Sequence, residues 1–381
     1  MGVGGCTVLP HLFRKYDRMK NYSGLFLILC LLFQSCITNK AAFSGTAFEQ
    51  YGSPTQAGFD QAHLDELTSY IKKNSATTGL VVLHQGKLVY QYGNIEKISY
   101  IASCRKSVLS MLYGKYVSDG TIDLNQNIGS LGIDEADGLL PKEKEATIDH
   151  IITSRSGVFH LASNGGYDKD NFLERGSVEP GEYFVYNNWD FNVAGHILEL
   201  HTQRSIYEDL EEQFARPLGF QDWNIKNQRK TGKKSKSQYK AYHMYLSTRD
   251  MAKLGQLMLN EGEWEGQQLI PREWIEKTTT TVTPFSTMEE RYGKADPNDL
   301  HMSYGYMWWL FDNYQGKSAY EEAYSAIGYG GQYITVFPRL DLVIAHKTKL
   351  GLFRLLGLAK DGDAHYWDIV HKIVAASGSG E

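Results

Sequence analysis

The chain has 381 residues, of which 42% are hydrophobic, 13% aromatic and 22% charged. That balance excludes a disordered or fibrous polypeptide and suits one large domain or two intimate ones. A formal net charge of −5 gives no support for a nucleic-acid partner.

The first element reads as a targeting segment. Lys20 precedes the apolar run 25–33, and Gln34-Ser35-Cys36 follows. The run is shorter than a membrane span requires and matches a signal-peptide core, with Met1 or Met19 as its start. Leu32-Phe33-Gln34-Ser35-Cys36 resembles a bacterial lipobox, departing from it at Gln34. The resemblance implies cleavage before Cys36, a lipid on its thiol, and a periplasmic or cell-envelope protein held to a membrane. A plain secretory signal cut nearby is the alternative. Removing 1–36 takes away Arg14, Lys15, Asp17, Arg18 and Lys20, a net +3, and leaves about −8. The remainder keeps Cys104, apart from Cys36 itself, so no intrachain disulfide framework is expected.

Residues 37–58 read as a linker. Asp60 can cap a helix whose Leu64, Leu67 and Ile71 share one face. Leu80-Val81-Val82-Leu83-His84, a turn at Gln85-Gly86-Lys87, and Leu88-Val89-Tyr90-Gln91-Tyr92 predict a hairpin. The next helix opens at Ser103-Cys104-Arg105-Lys106. Val108, Leu109, Met111, Leu112, Tyr113 and Tyr116 recur at helical spacing, and Gly120 ends the run.

Between 120 and 244 the expected elements are mainly helical: a short helix at 148–152, one across Phe191 to Leu198, and one across Tyr207 to Phe214. The stretch 226–240 is rich in Lys and Arg without apolar periodicity and reads as a solvated loop. From Ser247 regular elements return. Ser247 caps a helix carrying Met251, Leu254, Leu257 and Met258, and Pro271 starts another. Tyr304 to Leu310 is strand-like. Gln332–Phe337 and Leu342–His346 form a hairpin around 338–341, and a helix covers about 363–375. The domain reading is therefore 59–119 with 245–375 as a sheet domain, 120–244 as a helical insertion, and 376–381 as a flexible tail.

Ser103 and Lys106, three residues apart, share a helix face. A serine alcohol is a weak nucleophile until a base takes its proton, and a lysine can be that base when burial or a neighbouring cation opposes its charged form. Ser-x-x-Lys also occurs at Ser69/Lys72 and Ser237/Lys240, but only Ser103 opens an apolar helix directly after an extended segment. Two further stretches add to it. Tyr186-Asn187-Asn188 precedes a helix, where a tyrosine can relay protons and an amide can orient a carbonyl. Gly328-Tyr329-Gly330-Gly331-Gln332 leads into a strand, where a substrate could approach the backbone and an N–H could meet an oxyanion.

With these three motifs in this order, the chain resembles the penicillin-recognising serine hydrolases: class C β-lactamases, DD-peptidases, and related esterases and 6-aminohexanoate-dimer hydrolases. The resemblance spans about 50–375. It implies an α+β fold in which an antiparallel sheet is flanked by N- and C-terminal helices, with a helical domain inserted. It also implies catalysis by Ser103, Lys106 and Tyr186 without a metal or other cofactor. Asn188 would position substrate and Lys106, Tyr329 and Gly330 would lie at the substrate edge, and the N–H groups of Ser103 and Gly331, or of Gln332 if the register slips by one, would hold the oxyanion. Lys230-Thr231-Gly232 spells the third motif literally but lies in the basic stretch. Relatives that bind β-lactams usually carry Lys or His where this chain has Gly328, which favours an amide or ester as the small-molecule substrate. A β-lactamase or DD-peptidase is the alternative enzyme, and a penicillin- or peptidoglycan-binding sensor without turnover is the non-enzymatic one. Trp189, Trp308 and Trp309 are candidates for an apolar pocket or for core, and His160 for the cleft border.

Overall fold

The structure, a computed structural model, describes residues 45–165, 168–292, 301–312, 317–350 and 364–379. The expected signal segment with Cys36 lies outside them. Helix α1 (Gln61–Asn74) starts as its cap predicts, with the Asp60 carboxylate accepting from the His63 N–H at 3.0 Å and Leu64, Leu67 and Ile71 buried. Strands β1 (Thr77–His84) and β2 (Lys87–Gly93) form the hairpin. Leu80 to Leu83 are all buried, so β1 is covered on both faces. That is why its sequence is an unbroken apolar run rather than an alternation.

Strand β3 (Ser99–Tyr100) leads to α2 (Cys104–Ser118), followed by α3 (Ile148–Ile152), α4 (Asn188–Thr202) and α5 (Ile206–Leu210), which continues as one π-helical turn over 211–215. Strand β4 (Arg229–Thr231) pairs with β5 (Ala241–His243), and β6 (Tyr245–Leu246) pairs with β3. The basic stretch expected to be a solvated loop thus contains a strand. All three β4 residues are exposed, which leaves no apolar pattern to reveal it. Ser247 caps α6 (Thr248–Leu259), its Oγ accepting from the Asp250 N–H at 3.1 Å. Strands β7 (Glu263–Trp264) and β8 (Gln267–Gln268) and helices α7 (Arg272–Thr278) and α8 (Phe285–Tyr292) come next. The single strand expected at 304–310 is instead two, β9 (Met302–Tyr304) and β10 (Trp309–Phe311). They are split by a turn in which Met307 takes φ +63°. Strands β11 (Tyr324–Gly328), β12 (Gln332–Phe337) and β13 (Leu342–Thr348) and helix α9 (Ala364–Ala376) complete the described chain.

Seven strands form one antiparallel sheet in the order β2-β1-β13-β12-β11-β10-β9. Helices α1 and α9 cover one face. Leu64, Leu67, Leu80, Val82, Ile344, Ile369 and Ile373 pack there, and the rings of Tyr333 and Tyr366 stack at 3.7 Å. The opposite face carries α6 and the start of α2. The sheet draws its strands from 77–93 and 302–348, whereas 120–244 contributes α3, α4, α5 and the β4–β5 ribbon.

Helix α6 lies close to the sheet because Gly255 faces it: a Cβ there would fall 2.6 Å from Val343 Cγ1 and 2.8 Å from Ile334 Cγ2. Both neighbours are branched strand residues in a packed layer and have little room to yield. Gly255→Ala is therefore expected to destabilise the protein by about 1–3 kcal/mol, read as a lower denaturant midpoint. An unchanged midpoint would show that α6 can lift from the sheet without cost.

Candidate active site

The approach to Ser103 is tightly built. Ile101 N–H donates to the Met244 carbonyl at 3.1 Å, and Ala102 takes φ +49°, a left-handed conformation costly for a residue with a Cβ. Ser103 then sits at the N-cap of α2 with helical backbone angles, and its hydroxyl makes no capping hydrogen bond. The side chain is half-buried. Cys104 behind it is fully buried, donating from Sγ to the Gln332 carbonyl at 3.2 Å. Burial drives its thiol well above the ordinary range, which removes it as a nucleophile.

One helical turn on, Lys106 is 1% exposed. Its Nζ lies 3.8 Å from the centroid of the Tyr186 ring and 4.1 Å from that of Phe191. Tyr186 reaches this position from a loop tied down on both sides. Gly181 N–H donates to the Arg155 carbonyl at 2.7 Å, Val185 N–H to Ser154 at 3.1 Å, and Asn187 Nδ2 to Val158 at 3.0 Å. Asn187 also caps α4, its Oδ1 accepting from the Trp189 N–H at 3.0 Å. Beneath the loop, Ser156 donates to Asp190 at 2.7 Å, and full burial pushes the Asp190 carboxyl well above the usual range. The Tyr186 ring packs against Phe191 at 4.9 Å, Trp309 at 5.6 Å and Tyr304 at 6.0 Å.

Asn188 opens α4, but its Nδ2 donates to the Gly165 carbonyl at 3.1 Å. That hydrogen bond holds the 160s loop.

Strand β11 meets the Ser103 turn directly. A Cβ on Gly328 would fall 2.5 Å from the Ile101 carbonyl and 3.1 Å from Cys104 Sγ, so only glycine permits this approach. Tyr329, Gly330 and Gly331 form the turn from β11 to β12. Both glycines have positive φ, and Tyr329 is 39% exposed. The Gly331 carbonyl accepts from His346 Nδ1 at 3.0 Å, and the Gly330 carbonyl accepts from the Thr348 hydroxyl. Those partners lie on β13, so both carbonyls turn toward that strand.

The strand register adds a further candidate beside the expected Gly331 donor. The Phe311 N–H bonds the Ala323 carbonyl at 2.8 Å, and Trp309 pairs with Ser325. Alternation along an antiparallel strand turns the next odd residue, Ile327, toward the same edge. Strand β10 begins only at Trp309, so among the described residues the Ile327 N–H has no ladder partner on that edge. An open N–H beside Gly328, which abuts Ile101 and Cys104, is a further backbone donor candidate at this turn. Sequence reasoning missed it because β11 was not recognised: Tyr-Ser-Ala-Ile-Gly carries small residues where it faces α2.

Other candidates fall elsewhere. Trp189 and Trp308 are core, the former donating to Glu135 at 2.7 Å. Trp309 is partly exposed beside Tyr186. His160 bonds Asp137 at 3.1 Å and the Leu161 carbonyl at 3.0 Å, a satisfied structural position. Lys230 pairs with Glu199 of α4, and a Cβ on Gly232 would meet Ser163, so the literal Lys-Thr-Gly belongs to the β4–β5 ribbon. Ser69 and Lys72 lie along α1, and Ser237 donates to the buried Glu135. Lys347 of β13 donates to the Ser99 carbonyl at 3.0 Å and to Leu246, securing the strand before Ser103. Burial pulls its pKa down to about 7.

Comparison with known proteins identifies the fold and the family. An uncharacterised protein of Alkalihalophilus pseudofirmus is 25% identical over 264 residues, 64% of this chain and 71% of that one. The 6-aminohexanoate-dimer hydrolase of Paenarthrobacter ureafaciens is 30% identical over 98 residues, 26% of this chain and only 23% of its own length. A Bacillus anthracis structure provisionally named a 6-aminohexanoate-dimer hydrolase superposes with a TM-score of 0.59 at 20% identity, covering 86% of this chain and 88% of that one. The family profile described as Beta-lactamase matches residues 64–349, three quarters of the sequence and both halves of the site just described. The chain belongs to this family of serine hydrolases.

Proposed function

We propose that the protein cleaves an amide or ester through an acyl-enzyme on Ser103. The observation that carries this reading is Lys106: buried, one helical turn beyond a serine that does not cap its helix, with Nζ 3.8 Å from the Tyr186 ring. Burial opposes the charged form of an amine, which suits a base. Lys106, with Tyr186, takes the Ser103 proton as Oγ attacks the carbonyl carbon. The N–H groups of Ser103 and Ile327 face the oxyanion that forms, and the helix N-terminus favours its charge. The leaving group departs with a proton from Lys106 or Tyr186. Water then attacks the acyl carbon, its proton passing through Tyr186 to Lys106, and as the C–Oγ bond breaks that proton returns to Ser103 Oγ. Strand β11 carries no cation, and the neighbouring side chains Trp309 and Tyr329 are aromatic. That supports a neutral amide or ester over a substrate recognised by its carboxylate. The lipobox-like Gln34-Ser35-Cys36 supports export and a lipid on Cys36.

Intact-mass spectrometry after a fluorophosphonate probe should show one adduct on the wild type and none on Ser103→Ala, with Lys230→Ala labelled at the wild-type rate. Labelling that survives Ser103→Ala would overturn the mechanism, and a lasting fluorescent-penicillin adduct at Ser103 would move the assignment to the penicillin-binding alternative. Gly328→Ala should slow labelling on the order of 10- to 100-fold by shifting the Ser103 turn; an unchanged rate would mean that the close approach is dispensable. Globomycin should cause an unprocessed precursor to accumulate in cells. Normal processing under the drug would remove the lipid-anchor proposal.

A further inference from the structure

Arg105 follows the same helix turn as Lys106 and is likewise 1% exposed. Its Cζ lies 4.5 Å from the centroid of the Tyr242 ring. Among the described residues, Nε and Nη1 have no hydrogen-bond acceptor, the guanidinium bonds the Tyr100 hydroxyl, and no carboxylate forms an ion pair with it. The titratable groups around it are Tyr100 of β3, Tyr207 of α5, Tyr242 and His243 of β5, and Tyr186. Burial pulls His243 down to about 4, and Arg105 and Arg229 act in the same sense, so His243 is neutral at pH 7. Arginine itself remains protonated.

An unpaired buried cation is costly, and a protein that needed only packing would do better with an apolar side chain or a carboxylate partner. The Tyr242 ring face lowers the cost without cancelling the charge, as an aspartate would. The field therefore survives, and in a low-dielectric interior it reaches further than in water. A fixed positive charge opposes adding a proton to a nearby amine and favours removing one from a nearby phenol. The other deeply buried cation near Ser103 is Lys347, whose ammonium is held by the Ser99 and Leu246 carbonyls.

We propose that Arg105 is a positioning residue for the Ser103 reaction: a buried, uncompensated guanidinium whose field keeps Lys106 deprotonated and makes Tyr186 a readier proton donor. This rests on the acyl-enzyme reading above. The role needs neither a substrate contact nor movement of Arg105.

The test is the pH dependence of the rate at which a fluorophosphonate labels Ser103. In that reaction the Oγ–P bond forms, fluoride leaves and the serine proton passes to the base, so no natural substrate is needed. The base must be unprotonated, so the rate falls below its pKa. In Arg105→Gln and in Arg105→Met, this acid limb is expected to move to higher pH by about one unit, while Arg105→Lys, which keeps the charge, restores the wild-type limb. Melting temperatures measured on the same samples separate loss of fold from loss of field. A folded Arg105→Gln or Arg105→Met with the wild-type limb overturns the inference and leaves the acyl-enzyme reading standing. Absence of labelling in the wild type at every pH overturns the acyl-enzyme reading instead. A measurement on the unmutated protein closes the case where both neutral variants fail to fold. 13C-tyrosine NMR, with Tyr186→Phe to assign the signal, should show Tyr186 titrating below the ~10 of a free phenol, and titration at or above that value overturns the inference.

Discussion

The site depends on one close approach, that of the Ile101 carbonyl to Gly328. There the backbone of β11 comes near enough to the turn before α2 that a Cβ would fall 2.5 Å from the oxygen. Two costs are accepted to achieve it: the left-handed Ala102, and a glycine in a strand. The return is a serine at the end of a helix, held against a strand edge whose next backbone N–H is not spent on a ladder. The Cys104 thiol, bonded to the Gln332 carbonyl, and the Lys347 ammonium, bonded to Ser99 and Leu246, pin the same turn from below. Neither group has to meet a substrate to matter.

Around that turn the electrostatics are one-sided. Lys106, Arg105 and Lys347 are all at most 1% exposed, and the rings of Tyr242, Tyr186 and Phe191 lie against Arg105 and Lys106. Rings accommodate a cation through their quadrupole while leaving its charge intact. Asp190, close to the Tyr186 loop, is fully buried and bonded to Ser156, and burial pushes its carboxyl well above the usual range. Such an arrangement suits a reaction that passes through an anion at Ser103 and needs a base that stays unprotonated.

Much of this was legible in the sequence where local rules govern. Asp60, Ser247 and the periodic apolar residues after Ser103 announce their helices through caps and spacing, and the structure places them within a residue or two. The antiparallel sheet between terminal helices followed from the family resemblance that the three motifs carry. What stayed hidden is governed by pairing. Strand β4 is fully exposed, so nothing in its composition separates it from a loop. Strands β9 and β10 share one aromatic run, and only the positive φ of Met307 divides them. The Ile327 donor is a property of where β10 stops, a fact about a neighbouring strand that no motif spells.

The same pairing logic changes the meaning of the third motif. Residues 324, 326 and 328 of β11 face α2, and 325 and 327 face the opposite layer, as the Ser325–Thr335 hydroxyl contact at 2.8 Å requires. A lysine or histidine at 328 would be driven into Ile101 and Cys104, not out toward a substrate, so no cation can occupy that position with the nucleophile turn seated as it is. The first side chain beyond it that is open to solvent is Tyr329 at the hairpin tip. On the proposed reading this chain then meets its substrate with a phenol and an indole, Tyr329 and Trp309. Its positive charge lies beneath the helix, where it acts on the base and leaves recognition to apolar contact and the backbone.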